Sequence, residues 1–345
     1  MYYDQSNLKK GGSMEKVLVT GATGFIGLHC IQQLLEQGYG VNGTLRSMQR
    51  ESEVRQSLEK HNTSCENLTL FPVDLMSDEG WDDAMSGCDY LLHVASPFVL
   101  SNETEEFFVK PAVEGALRAL KFADKHNIKK VVLTSSFAAV GDTFDGTTSF
   151  DETHWSDTSN DRMTFYSKSK TLAERAAWDY VKENNVSYKL TVINPVGVLG
   201  PSLSDDVGIS NSMVLRMLNG SMPALAKIHI GIVDVRDVAK AHILAMKNTE
   251  SDGERFIVSE KEMWMSDIAN VLNANGYKAP EKNMPNLLLK VMALFKSDLK
   301  TISKMAGKQR DCHTTKAKDV LGWNPITAEE SILAAAKQIT DYELI

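Results

Sequence analysis

Tyr166 and Lys170 stand four residues apart in Thr164-Phe-Tyr-Ser-Lys-Ser-Lys-Thr-Leu-Ala-Glu-Arg175, a stretch with the pattern of a helix. At 3.6 residues per turn, that spacing stacks a phenol and an ammonium on one helix face. An ammonium beside a phenol favours phenolate and lowers the phenol pKa from its ordinary value of about 10. A tyrosine tuned in this way exchanges a proton with a carbonyl or an alcohol near neutral pH. Upstream, Thr134-Ser135-Ser136 closes an apolar run, and a hydroxyl there is placed to bond a substrate oxygen. Ser136, Tyr166 and Lys170 therefore make a candidate catalytic triad. Taken singly, they read as a turn serine, a half-buried tyrosine and a solvated lysine. A dinucleotide turn in the same chain is what joins them.

That turn is Thr20-Gly-Ala-Thr-Gly-Phe-Ile-Gly27. Gly21 permits the tight exit from a strand, Gly24 lets backbone approach a pyrophosphate, and Gly27 lets the following helix pack on the sheet. The helix N-terminus then offers free N–H groups to the phosphates. Thr23, Phe25 and Ile26 complete the turn and count among the candidate cofactor contacts. At the end of the second strand an acid holds a ribose hydroxyl, whereas an arginine accommodates a 2′-phosphate. The chain has Thr44-Leu45-Arg46-Ser47 there, so Arg46, with help from Ser47 or Arg50, points to NADP(H). Asp74 and Leu75 follow the third strand and are expected near the adenine.

The elements that must position these groups are legible as alternation. Strands are expected at Lys16–Thr20, Gly40–Leu45, Thr69–Val73, Tyr90–Val94, Lys130–Thr134 and Tyr188–Ile193, with helices over Phe25–Gln37 and Val113–His126. Strands alternating with helices imply an α/β fold, a Rossmann-type doubly wound parallel sheet. After Pro201 the pattern changes. Ser202 to Gly208 is polar and acidic and reads as a mobile loop. Helical patterns surround Ser212–Leu218 and Val235–Met246, a short apolar run lies at Ile228–Ile232, and Glu254–Val258 reads as a further strand. The chain is mostly helical from Ser266 onward. The expected division is a dinucleotide-binding domain over 14–200, to which some later segments return, and a smaller, mostly helical substrate lobe over 201–345. The Ser202–Gly208 loop and the Gly220–Ile232 segment are candidates to close over substrate.

At this point the chain resembles the extended short-chain dehydrogenase/reductases. Within them it is most similar to the dihydroflavonol 4-reductase group, with its cinnamoyl-CoA reductases and microbial aldehyde or ketone reductases. The resemblance runs from Glu15 to Asn324. It is carried by Val19-Thr-Gly-Ala-Thr-Gly-Phe-Ile-Gly27, His93-Val-Ala-Ser-Pro97, Val132-Leu-Thr-Ser-Ser136, Tyr166-Ser-Lys-Ser-Lys170 and Asn194-Pro-Val-Gly-Val-Leu-Gly-Pro201. The resemblance implies Tyr166 as proton donor and Ser136 as anchor of the substrate oxygen. It implies Lys170 as the group that binds the nicotinamide ribose and tunes Tyr166. It also places Ala95, Ser96, Thr134, Pro195 and Val198 against the cofactor, together with the residues of the glycine turn, Arg46, Asp74 and Leu75. Two departures stand out. Phe137 replaces a small residue of the plant flavonoid reductases and narrows the site. Glu114-Gly115 stands where relatives carry Asn or Asp before glycine. Phe98, Val99 and Phe137 are candidate substrate walls.

Composition bounds the alternatives. The 345 residues are 43% hydrophobic and 24% charged, an ordinary balance with length for a sizeable core. A net charge of −8 without a basic tract argues against nucleic acid or an anionic membrane as the main partner. Cys30, Cys65, Cys88 and Cys312 are widely spaced, and neither they nor the eight histidines show metal-ligand spacing, so no metal is expected. Free thiols fit a reducing cytosol, and a cytoplasmic monomer or homodimer is the expectation. Residues 1–13 read as an expression leader ahead of a natural start at Met14. Other readings on the same scaffold are a nucleotide-sugar epimerase or dehydratase, a hydroxysteroid dehydrogenase, or a non-catalytic NADP-sensing protein. The epimerases often carry Val-Tyr-Gly after the serine, where this chain has Ala139-Val140-Gly141.

Overall fold

The computed structural model describes residues 14–96, 104–143, 145–205, 207–295 and 298–344. Phe98 and Val99 lie outside them. The first half alternates as the pattern demands: β1 (Lys16–Val19), α1 (Phe25–Glu36), β2 (Gly40–Leu45), α2 (Glu51–Lys60), β3 (Leu68–Pro72), α3 (Trp81–Met85), β4 (Tyr90–His93), α4 (Glu105–Lys125) and β5 (Lys130–Thr134). Then come α5 (Ala138–Gly141), β6 (Ser149–Phe150), α6 (Phe165–Asn184), β7 (Lys189–Pro195), β8 (Gly197–Leu199), α7 (Asn211–Leu218), β9 (His229–Asp234), α8 (Val235–Lys247) and β10 (Arg255–Val258). The chain closes with β11 (Lys261–Trp264), α9 (Met265–Ala274), α10 (Asn286–Met292), α11 (Asp298–Met305), β12 (Asp311–Cys312), α12 (Thr315–Leu321) and α13 (Ala328–Asp341).

Seven strands form one sheet in the order β10-β7-β5-β4-β1-β2-β3, and every pairing in it is parallel. Runs such as Val17-Leu-Val19 and Val131-Val-Leu133 are buried throughout, as strands covered on both faces must be. The order reverses between β1 and β4, and ligands of such sheets bind at the carboxyl ends beside that point. Below and above the sheet lie two apolar clusters, one around Leu28, Ile31 and Leu34 of α1 and the other around Trp81, Leu120 and Leu190.

Three features depart from the pattern read in the sequence. Helix α4 begins at Glu105, well before Val113. The Thr104 hydroxyl caps it by accepting from Phe107 N at 3.3 Å, and Pro111 lies inside the helix. Ser202, Leu203 and Ser204 are buried rather than loose. Gln338 of α13 receives the Ser202 N–H at 2.6 Å and donates to the Ser202 carbonyl at 2.9 Å, which pins the start of that segment. A small three-stranded sheet, β11-β9-β8, was not read in the pattern; α7, α9 and α13 pack with it around Ile232, Ile268 and Ile332. Later segments pack with the earlier strands and helices. Strand β10 pairs with β7, and α8 lies beside α1, where Gln33 donates to the Arg236 carbonyl at 2.8 Å. Among the described residues, no helix is long and apolar enough to cross a membrane.

Candidate active site

The glycine turn has the geometry that its sequence requires. Gly21 has φ of 77°, a left-handed value that favours glycine. A Cβ on Gly27 would lie 2.2 Å from the Gly21 carbonyl oxygen, so no other residue fits there without backbone movement. Gly24 has the extended conformation of an N-cap and starts α1, and Leu28 N bonds its carbonyl at 3.0 Å. The ends of β1 and β4 converge behind the turn. Thr20 Oγ1 accepts from both Val94 N and Ala95 N at 3.0 Å, which leaves its own proton for His93 Nδ1 at 3.0 Å. That bond fixes His93 as the Nε2–H tautomer. Burial, with the nearby charge of Lys170, pushes His93 down to about 3, so the ring is neutral. His29, the other histidine in an apolar run, donates to the Pro201 carbonyl at 2.8 Å. A Cβ on Gly208 would lie 2.9 Å from the Phe25 ring, so this glycine comes close to the start of α1.

Ser136 lies just past the carboxyl end of β5. Its backbone is held by Asn194 Nδ2, which donates to its carbonyl at 3.2 Å, and its Oγ accepts from Ala138 N at 3.1 Å. Tyr166 is the second residue of α6. The helix starts there because Thr164 caps it, accepting from Ser167 N at 3.0 Å. The half-buried Tyr166 is hydrogen-bonded to Ser136 through the side chains. Lys170 follows one turn later and is buried. The three residues of the candidate triad are thus brought together.

Their titration departs from the expectation that an ammonium lowers the phenol. Burial raises the Tyr166 pKa above its ordinary value, and the Ser136 hydrogen bond pulls the other way without overcoming it. Burial also lowers Lys170 to about 8, opposed by the charge of Glu174. Desolvation disfavours the charged form of both groups and here outweighs their neighbours. Lys170 borders a cavity of about 20 Å³ shared with His93, Ser96, Thr134, Ser135 and Glu174. That volume is enough for one water molecule.

Behind the triad lies a polar network that the sequence reading did not single out. Glu174 is fully buried, one turn beyond Lys170. Its carboxylate accepts from Ser135 Oγ at 2.5 Å and Asn194 Nδ2 at 2.7 Å, and it faces Arg255 Nε at 2.7 Å. The Arg255 guanidinium is itself fixed 3.8 Å from the Trp155 ring centroid and donates to the His154 carbonyl at 2.8 Å. The network ties β5, α6, β7 and β10 together directly under the serine. Tyr166, Lys170 and Glu174 recur every four residues, which was the available signal for Glu174. The partner Arg255 lies on a distant strand and left no local trace.

The remaining candidates divide. Arg46 and Arg50 are exposed beyond β2, and Arg50 donates to Thr23 Oγ1 at 3.1 Å while pairing with Glu53. Arg50 therefore stands beside the glycine turn, and Arg46 follows directly on the end of β2. Asp74 is exposed and spends Oδ1 on Met76 N at 2.7 Å, while Leu75 packs against Gly115. Ala95 approaches Gly21, with its Cα 3.2 Å from where a Gly21 Cβ would lie. Pro195 is buried, and its carbonyl accepts from Phe137 N at 2.9 Å; Val198 is buried in the core of the first domain. Thr134 is committed elsewhere. Its hydroxyl bonds His242 Nε2 at 2.6 Å, and His242 Nδ1 bonds the Val238 carbonyl at 2.7 Å, so that hydroxyl is taken up within the fold. Phe137 is partly buried. Its ring covers Gly141 and meets Phe150 edge-on at 5.6 Å, within a cluster containing Val140 and Ile257. Glu114 faces a surface groove with Asp78, Arg118 and Lys121, away from the triad.

Comparison with known proteins fits this geometry. Residues 17–259 match the model of the NAD dependent epimerase/dehydratase family. Cinnamoyl-CoA reductase 1 of Petunia hybrida is 38% identical over 265 residues, 76% of this chain and 77% of that one. The bifunctional dihydroflavonol 4-reductase/flavanone 4-reductase of Pyrus communis is 35% identical over 289 residues, 80% of each chain. The crystal structure of yeast methylglyoxal/isovaleraldehyde reductase Gre2 complexed with NADPH is similar with a TM-score of 0.79, at 28% identity, over 95% of this chain and 99% of that one. The sheet order, the glycine turn and these matches agree: the chain belongs to the NAD dependent epimerase/dehydratase family, among the extended short-chain dehydrogenase/reductases.

Proposed function

We propose that this protein reduces an aldehyde or ketone to an alcohol at the expense of NADPH, reversibly. The observation that carries the reading is the Ser136–Tyr166 hydrogen bond, one helical turn from Lys170. The dinucleotide fits the residues present. Gly21, Gly24 and Gly27 leave a cradle that side chains would fill, and α1 points its N-terminus into it. Arg46 and Arg50 supply cations where a 2′-phosphate is read. Relatives named as reductases, and the NADPH held by Gre2, support the same choice.

When bound, the reduced dinucleotide supplies a hydride to the carbonyl carbon. Ser136 and Tyr166 hold the oxygen that gains charge, and donors aimed at a developing oxyanion are usually the largest catalytic term. Tyr166 then gives its proton to that oxygen and recovers one from solvent. A phenol held above its ordinary pKa is protonated before the reaction, as a donor in the reductive direction must be. Lys170 binds the ribose and stabilises the phenolate that donation leaves behind. Glu174, Asn194 and Arg255 keep the serine loop in register. The first domain, with α8 and β10, serves the dinucleotide, and the C-terminal lobe serves the substrate.

An absorbance assay at the nicotinamide band, run with NADPH or NADH against a panel of aldehydes and ketones, tests the reading. Oxidation of NADPH by at least one carbonyl, with NADH the poorer donor, is expected. No oxidation with any carbonyl contradicts it, and a preference for NADH removes the role given to Arg46.

A further inference from the structure

Lys170 needs its positive charge to stabilise a phenolate, yet it is buried where that charge is costly. The groups that could offset the cost are those that border the same water-sized cavity. Apart from apolar side chains, the ends of β4 and β5 bring His93, Ser96, Thr134 and Ser135 to it, α4 brings only alanines, and α6 brings Glu174. His93 is neutral, and its Nδ1 is taken by Thr20 Oγ1 at 3.0 Å. The Thr134 hydroxyl is taken by His242, and that of Ser135 by Glu174. Among the described residues, Glu174 is the one carboxylate on the cavity. It follows Lys170 by four residues, so the two share a face of α6.

A fully buried carboxylate is tolerated where donors meet it. Ser135 beyond β5, Asn194 of β7, Trp178 of α6 and Arg255 of β10 all turn N–H or O–H groups towards Glu174, the last in an interior pair whose side chains are 8% and 0% exposed. Every one of these partners donates, an arrangement that suits a carboxylate rather than a carboxylic acid. Asn194 Nδ2 serves two acceptors at once, Glu174 at 2.7 Å and the Ser136 carbonyl at 3.2 Å, so the carboxylate is tied to the catalytic serine through one amide. Arg255 does not border the cavity, whereas Lys170 does. The carboxylate thus meets a fixed cation within the fold and presents its charge to a second one at the site. That charge works against the burial that lowers Lys170 to about 8.

We propose that Glu174 is a positioning residue that acts through Lys170: its charge keeps the lysine an ammonium beside Tyr166 at neutral pH, while its hydrogen bonds to Ser135 and Asn194 hold Ser136 towards the same phenol. The proposal rests on the reductase reading and adds to it the group that sets the upper pH limit of the reaction. Burial raises Tyr166, so the lysine is the group whose loss of a proton ends activity first as pH rises. The pH dependence of single-turnover NADPH oxidation, with the carbonyl of the panel that wild type reduces fastest, tests this. Glu174→Gln keeps the shape and removes the charge. It should move the alkaline midpoint down by about one pH unit or more, the effect of losing an opposite charge a few ångströms away. At the wild-type midpoint its rate should be lower by about fivefold or more. Glu174→Asp keeps the charge, and its midpoint should stay at the wild-type pH even where its rate falls. If Glu174→Gln does not fold, Glu174→Gln combined with Arg255→Met removes the buried cation with its partner and should show the same displacement. A folded Glu174→Gln enzyme that is slower or less thermostable, yet keeps the wild-type midpoint, makes the residue purely structural and overturns the proposal. Equal displacement in the Asp and Gln variants overturns the role of charge. Either result leaves the reductase reading standing. If wild type reduces no carbonyl at any pH, both readings fall together.

Discussion

Lys170 is buried with Glu174 one turn beyond it, and desolvation lowers its pKa from 10.5 to about 8. Below about pH 8 the lysine is charged in both folded and unfolded chains, and the folded protein bears the whole cost of burying that charge. As pH rises from about 8 towards 10.5, the folded form releases its proton first, so the cost fades and this contribution to stability rises with pH. The gain across that window is on the order of 3 kcal/mol. Lys170→Met should abolish this rise. Urea unfolding of the cofactor-free protein at pH values through the window measures it, and a wild-type profile no different from that of the variant contradicts the assignment. The pair was visible in the sequence because its two members share a helix, but the direction of tuning was not. Spacing reports which groups are neighbours, whereas burial depends on α4, β4 and β5 closing around them, and here burial decided the sign.

The glycine turn separates two demands that one motif places on an element. At Gly27 an added Cβ would meet the Gly21 carbonyl oxygen at 2.2 Å, so the packing of α1 against β1 is at stake. At Gly24 the nearest atom would be 3.3 Å away, a contact that a small shift relieves. Gly27→Ala should therefore lower the melting temperature together with NADPH affinity. Gly24→Ala should cost about tenfold or more in NADPH affinity with little change in melting temperature, since only the backbone's approach to the pyrophosphate is blocked. Thermal denaturation and NADPH titration of both variants check this. Equal destabilisation by the two would contradict the separate roles. Strand β5 was legible to the residue, because its Val131-Val-Leu133 run is the apolar signature of a strand covered on both faces. The β11-β9-β8 sheet was not. Its antiparallel and parallel ladders join segments far apart in sequence, and short strands such as Gly197–Leu199 carry too few residues to show a period. The anchored Ser202–Ser204 segment escaped for a similar reason, since its partner Gln338 lies on the last helix.

At the scale of the whole molecule, parts that flank the central strand β4 must meet. The glycine turn after β1, the serine after β5, and Tyr166 and Lys170 at the start of α6 assemble at the carboxyl edge of the sheet, with the C-terminal lobe brought back by α8 and β10. Glu174 and Arg255 fix part of that assembly from within. The proton-delivery role of Tyr166 is the claim on which the rest depends. Single-turnover oxidation of bound NADPH by an active carbonyl substrate, compared between wild type and Tyr166→Phe, tests it most directly, with NADPH affinity and melting temperature recorded for both. The account predicts a rate about 10²–10⁴-fold lower in the variant, with cofactor affinity and fold retained. A folded Tyr166→Phe enzyme that binds NADPH and turns over near the wild-type rate would contradict it.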